Sequence, residues 1–154
     1  MSAPQPAPAW HVSQWFNSEP LSLGSLRGKV VVVHAFQMLC PGCVQHGLPQ
    51  AQRIARQFDP AQVAVIGLHT VFEHHTAMTP VALAAFLQEY GIRFPVGVDT
   101  PSEDEPLPQT MTAYGMRGTP TLILIDRDGL LRKHSFGVEP DMQVGADIAM
   151  LLGN

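Results

Sequence analysis

The near-continuous apolar run Val30-Val31-Val32-Val33-His34-Ala35-Phe36 leads straight into Cys40-Pro41-Gly42-Cys43, and the chain beyond has helical periodicity. Such a run is the pattern of a parallel strand covered on both faces, so the chain must build a layer on each side of it. After the cysteines, Val44, Leu48, Ala51, Ala55 and Phe58 recur at spacings of four and three, while Gln45, Gln52, Arg53 and Arg56 fall elsewhere on the wheel. The cysteines therefore mark a strand-to-helix junction, in a helix that Pro49 should kink by removing a hydrogen bond.

These are the only 2 cysteines in the chain. A disulfide closing so small a ring takes little entropy from the unfolded chain, so a structural staple explains the pair poorly. A thiol at a helix start meets unpaired backbone N–H groups and the positive end of the helix, which favour the thiolate that thiol–disulfide exchange requires. The pair reads as a redox dithiol.

Composition narrows the classes that remain. With 154 residues and 45% hydrophobic content, the chain can bury one sizeable core. Only 14% of residues are charged and the net charge is −4, which leaves no basic stripe for nucleic acid or acidic lipid. No run approaches the roughly 18 apolar residues of a membrane span. Residues 1–9, Met1-Ser2-Ala3-Pro4-Gln5-Pro6-Ala7-Pro8-Ala9, lack a basic n-region and an apolar h-region. They are expected to form a disordered leader before a single domain over residues 10–154. The expected compartment is the cytoplasm, or the periplasm had a signal been trimmed.

The remaining pattern alternates strand and helix. Trp10 to Leu26 is turn-rich and predicts a small N-terminal hairpin over one end of the core, and Gln62 to Leu68 predicts a second β-branched strand. Thr79 as N-cap, Pro80 at the first helical position and Gly91 at the end bound a helix with Leu83, Phe86, Leu87 and Tyr90 on one face. Phe94 to Val98 suits a short edge strand, where proline does least harm, and Pro101 to Pro108 a surface loop. Thr121 to Ile125 and Leu130 to Phe136 flank the turn Asp126-Arg127-Asp128-Gly129 and predict an antiparallel hairpin. A last helix buries Val144, Ile148, Leu151 and Leu152.

From about Leu21 onward the chain resembles the thioredoxin-like superfamily. The likeness is greatest to the redoxin branch of TlpA-like and ResA-like thiol–disulfide oxidoreductases, related to the alkyl hydroperoxide reductase/thiol-specific antioxidant family. It rests on Gly28-Lys29-Val30-Val31-Val32-Val33, Cys40-Pro41-Gly42-Cys43, Tyr114-Gly115-Met116-Arg117-Gly118-Thr119-Pro120-Thr121 and Ile125-Asp126-Arg127-Asp128-Gly129. The resemblance implies an α/β fold with a central mixed sheet flanked by helices, and no cofactor. It implies that Cys40 is the exposed nucleophile and Cys43 the resolving thiol. Pro120 takes the place of the family's cis-proline, with Thr119 pairing with an extended substrate. The implied partner is a protein thiol or disulfide, or a thioredoxin-type reductant.

The chain also departs from its relatives. Leu39 stands where they commonly place Trp, and His34 where thioredoxin carries a buried acid. His34 is either a core histidine bonded to backbone or a proton relay. Glu73 is the nearest match to a redox-site glutamate of ResA-like proteins, against a solvated loop carboxylate. Arg117 resembles the arginine that supports a peroxidatic thiolate, yet TlpA-like reductases carry it too. A zinc site from Cys40, Cys43, His46 and one of His69, His74 or His75 is chemically conceivable. One C-x-x-C is half a structural site, and thiol activation explains its position better, so no metal is expected. Two alternatives stand beside disulfide exchange: a thiol-dependent peroxidase, and a peptide-binding module without redox turnover. The peroxidase pattern P-x-x-x-T-x-x-C fails, because ending it at Cys43 puts Cys40 in place of the Thr and Phe36 in place of the Pro.

Overall fold

All side chains of the Val30–Phe36 run are buried, because the strand has neighbours on both edges and helices over both faces. The computed structural model describes residues 3–153. Among them, β1 (Gln5–Pro6), β2 (Val12–Phe16), β3 (Val30–Phe36), β4 (Val63–His69), β5 (Val96–Asp99), β6 (Thr121–Ile125) and β7 (Leu130–Phe136) form one sheet, ordered β1-β7-β6-β3-β4-β5-β2. The helices are α1 (Leu48–Gln57), α2 (Pro80–Glu89), α3 (Gln109–Tyr114) and α4 (Asp141–Leu152). β3, β4 and β5 run parallel, with β6 antiparallel to β3 and β7 to β6.

The period of two divides β3 between two cores. Val30, Val32 and Phe36 pack with Leu48 and Ile54 of α1, Leu83 and Leu87 of α2, and Val144 and Ile148 of α4. Val31, Val33 and Ala35 pack with Ile66, Met111, Tyr114 and Met116 on the opposite face. Cutting one of the larger buried side chains to alanine costs about 2–5 kcal/mol, so this division holds the sheet between its layers. The end of β3 delivers the chain to Cys40 at the edge of this packing.

The first turns of the dithiol helix are not regular. Cys43–Gly47 form a π turn, in which the Leu48 N–H donates to the Cys43 carbonyl, and α1 follows. Where the sequence predicts a kink at Pro49, the helix widens just before it. Proline has no N–H to give and its ring pushes away the carbonyl four residues back, which a wider turn accommodates. α2 begins as its caps predict, with the Thr79 hydroxyl accepting from the Ala82 N–H at 3.2 Å.

The N-terminal expectations need correction. Among the described residues no N-terminal hairpin forms: β1 pairs with β7 and β2 with β5, at opposite edges of the sheet. β2 thereby covers β5, which is not the edge strand expected for Phe94 to Val98. The leader is not loose either from Gln5 to Pro8. Gln5 pairs with Leu131, the Ala7 N–H donates to Gly129, and the Tyr114 hydroxyl donates to the Pro8 carbonyl at 2.6 Å. The open edge of β7 offers hydrogen bonds that composition alone does not reveal. Met1 and Ser2 of the leader lie outside the described residues.

α3 is the helix the periodicity does not announce. Two of its first N–H groups are satisfied from the end of β5, across the intervening loop: the buried Asp99 carboxylate accepts from Thr110 N at 2.7 Å and Met111 N at 2.9 Å, and also from the Thr70 hydroxyl at 3.0 Å. Burial pushes the Asp99 carboxyl above its ordinary pKa, against the pull of these bonds.

Candidate redox site

Cys40 lies where the chain leaves the C-terminal end of β3 and turns into the helix. Its N–H donates to the Gln37 carbonyl at 3.1 Å, and its carbonyl accepts from Val44 N at 3.1 Å. Its Sγ is 2.7 Å from the Sγ of Cys43, and both cysteines are free thiols. The Cys43 N–H points at the Cys40 sulfur at 3.3 Å, as expected of an unpaired donor in a first helical turn. The two thiols differ in surroundings. Cys40 is half-buried, whereas Cys43 is sealed in the core at 0% exposure. Burial pushes the Cys43 thiol up to about 12, with the hydrogen bond to Cys40 adding to the rise; the Gln37 backbone and the Thr119 side chain pull the other way.

Residues 118–121 close the other side. The Thr119–Pro120 peptide is cis, and the Cys40 Sγ lies 3.5 Å from the Thr119 carbonyl oxygen. Pro120 packs on the dithiol helix at its glycines: a β-carbon on Gly42 would meet the Pro120 Cδ at 3.5 Å, and one on Gly47 would meet the Pro120 Cβ at 3.2 Å. Cys40, Cys43, Thr119 and Pro120 thus come together from two distant stretches of chain.

The other sequence candidates sit at different removes. His34 is buried in β3, its ring stacked on Phe36, and its imidazole fills the place a Gly47 side chain would take. Its Nε2 has no hydrogen-bond partner among the described residues, and burial lowers its pKa to about 4. The ring is therefore a neutral imidazole beneath the π turn. Glu73 is exposed and reaches the dithiol only through Gln37, whose Nε2 donates to it at 3.3 Å. Arg117 makes no hydrogen bond to either sulfur; its guanidinium lies over the Phe136 ring, 5.6 Å from the centroid. Of the histidines weighed as metal ligands, His69 turns its Nε2 to Met38 and His75 turns its own to the Pro106 carbonyl.

Two residues, Gln37 and His69, hold supporting roles that the sequence does not assign to them. Gln37 is buried, accepts the Phe72 N–H on its Oε1 at 3.1 Å and carries the carbonyl that holds Cys40. His69, also buried, accepts the Met38 N–H on Nε2 at 3.3 Å, and burial lowers its pKa to about 4. Together they pin the segment before Cys40 from β4 and the loop after it. The available signal is a polar residue directly after an apolar strand, which is costly to bury without partners.

Comparison with known proteins sets this geometry in context. The model of the AhpC/TSA family matches residues 4–134. The chain is 31% identical over 146 residues to Protein DipZ of Mycobacterium tuberculosis, covering 93% of this chain and 20% of DipZ. It is 26% identical over 126 residues to thiol-disulfide oxidoreductase ResA of Halalkalibacterium halodurans, covering 80% of this chain and 64% of ResA. The chain thus spans less than two thirds of these curated relatives. Solved structures match over nearly all of both chains. A thiol-disulfide isomerase from Corynebacterium glutamicum is 54% identical, with a TM-score of 0.93 and coverage of 96% and 97%. The crystal structure of a thioredoxin-like superfamily protein is 59% identical, with a TM-score of 0.96 and coverage of 97% of each chain.

Proposed function

We propose, from the premise that this chain belongs to the AhpC/TSA family and has a thioredoxin-like fold, that it is a thiol–disulfide oxidoreductase working on a protein partner through Cys40 and Cys43. The observation that carries this reading is the asymmetry of the pair. One cysteine is half-buried, with its sulfur beside the Thr119 carbonyl, and the other is sealed, with its sulfur 2.7 Å from the first.

In the reducing direction, the Cys40 thiolate attacks one sulfur of the partner disulfide. That bond breaks, a mixed disulfide to Cys40 forms, and the partner's other sulfur leaves as a thiolate. Cys43 then gives up its proton and attacks the Cys40 sulfur, releasing the partner's first sulfur. Two electrons pass from the dithiol to the partner, which gains two protons, and the Cys40–Cys43 disulfide remains. Thr119 and Pro120 supply the surface on which an extended partner segment lies. Glu73, the exposed carboxylate joined to Gln37, is the group to which we assign the Cys43 proton by way of solvent; His34, neutral with its pKa lowered to about 4, supports the π turn and does not relay that proton. A reducing compartment such as the cytoplasm would hold the pair as the dithiol, recharged by a thioredoxin-type reductant; an oxidising one would hold it as the disulfide.

Peroxide reduction is the weaker reading. The cysteine that would end a peroxidase pattern is Cys43, and a sealed thiol pushed up to about 12 neither meets peroxide nor ionises readily. The discriminating experiment supplies the reduced protein with either a protein disulfide or hydrogen peroxide under the same thiol regeneration. Fast disulfide reduction with negligible peroxide consumption is expected. Peroxide turnover that outpaces disulfide turnover would reverse the assignment.

A further inference from the structure

We infer that Arg117, seated over Phe136 and two residues before Thr119, selects partner segments that carry a carboxylate about three residues from the cysteine under attack. This rests on the exchange reaction proposed above. The sheet register brings three chain ends to one end of the molecule: Ala35 of β3 pairs with Thr121 of β6, and Thr121 pairs with Phe136 of β7. Neighbouring strands lie about 4.8 Å apart, so Phe136 stands roughly 10 Å across from the end of β3, and the segment after β3 brings the Cys40 sulfur to within 3.5 Å of the Thr119 carbonyl, two residues from Arg117. An extended peptide advances about 3.3 Å per residue, and three residues cover that span.

What waits there is an apolar ledge with one cation. The Phe136 ring is 52% exposed and rests against Gly118, where a β-carbon would meet its Cε1 at 3.0 Å. On the nucleophile's own side, Leu39 is 57% exposed. Arg117 is exposed, and its charge is not spent within the chain: among the described residues the ion pairs are Arg53–Asp141, Arg132–Asp126, Lys133–Glu139 and Lys133–Asp147. The acids that follow β7, Glu139 and Asp141, are thus already paired. A partner carboxylate meets a guanidinium with no internal competitor, held in place by the aromatic face below it. The chain as a whole carries −4 and does not draw acidic partners from afar, so the selection is local. A single exposed pair of this kind is worth about threefold.

The test uses four synthetic peptides, each with one cysteine held as a mixed disulfide with 2-mercaptoethanol, and with Glu or Lys three residues before or after it. Neutral 2-hydroxyethyl disulfide serves as the small reference. The reduced wild-type protein is expected to consume the Glu peptide about threefold faster than its Lys counterpart on one of the two sides, and 0.5 M salt should narrow the ratio. Arg117→Gln should level it, Arg117→Glu should invert it and Arg117→Lys should keep most of it. A ratio of one on both sides in the wild type, or a ratio that Arg117→Glu leaves unchanged, overturns the inference while exchange itself stands. Failure to reduce even 2-hydroxyethyl disulfide would bring down the exchange reading and this inference with it.

Discussion

The sulfurs of Cys40 and Cys43 lie 2.7 Å apart, yet Cys40 is half-buried and Cys43 is fully enclosed. This difference predicts the order of chemical modification. With its thiol pushed up to about 12, only about one Cys43 in 10⁴ is a thiolate at pH 8, and it has no path to reagent. Iodoacetamide should label Cys40 at least tenfold faster than Cys43 in the reduced protein. Peptide mapping that found Cys43 labelled first would reverse their roles.

Gly47 is expected to tolerate no side chain. A β-carbon there would collide with the His34 imidazole and crowd Pro120, so Gly47→Ala should destabilise by about 1–3 kcal/mol, as overpacking does. His34→Ala opens that space, and the double variant should be more stable than the sum of the two single changes allows. Denaturant midpoints for the four proteins check this; additive losses would place His34 away from the helix.

Acid should unfold this protein through its buried histidines. His34 and His69 titrate near 4 when folded and near the ordinary 6.5 when unfolded, so between those values the unfolded chain binds more protons. Their contribution is fully present above about pH 6.5 and is lost as pH falls toward 4, by about 1.4 kcal/mol per pH unit for each ring. Unfolding free energies measured from pH 7 to 4.5 should show this slope, and His34→Leu should remove about half of it. An unchanged slope in that variant would mean that His34 is already charged in the folded state.

The parts of the molecule legible in the sequence are those decided locally. The valine run of β3, the Thr79–Pro80 helix start and the Asp126–Gly129 turn each carry their own signal over a few residues, and the dithiol is visible from its spacing and junction. The placements of β1 and β2 are not legible, because nothing near either strand specifies which distant edge it will complete. α3 is short and capped by Asp99 at the end of β5, across a loop, so the residues at its start carry no marker of their own. Within the site, Glu73 stands near the dithiol only because Gln37 joins them, and Gly47 is needed only because His34 lies beneath it. Those are facts of packing between segments, which spacing along one segment does not encode.

The most direct measurement of the central claim is capture of the reaction intermediate. The single-cysteine variants Cys43→Ser and Cys40→Ser, mixed in reduced form with an excess of a disulfide-bonded protein, are quenched with acid and mapped by mass spectrometry. If Cys40 attacks and Cys43 resolves, Cys43→Ser accumulates a thiol-cleavable adduct joined at Cys40, and Cys40→Ser accumulates little or none. An adduct that forms equally in both variants, or only through Cys43, would contradict the account.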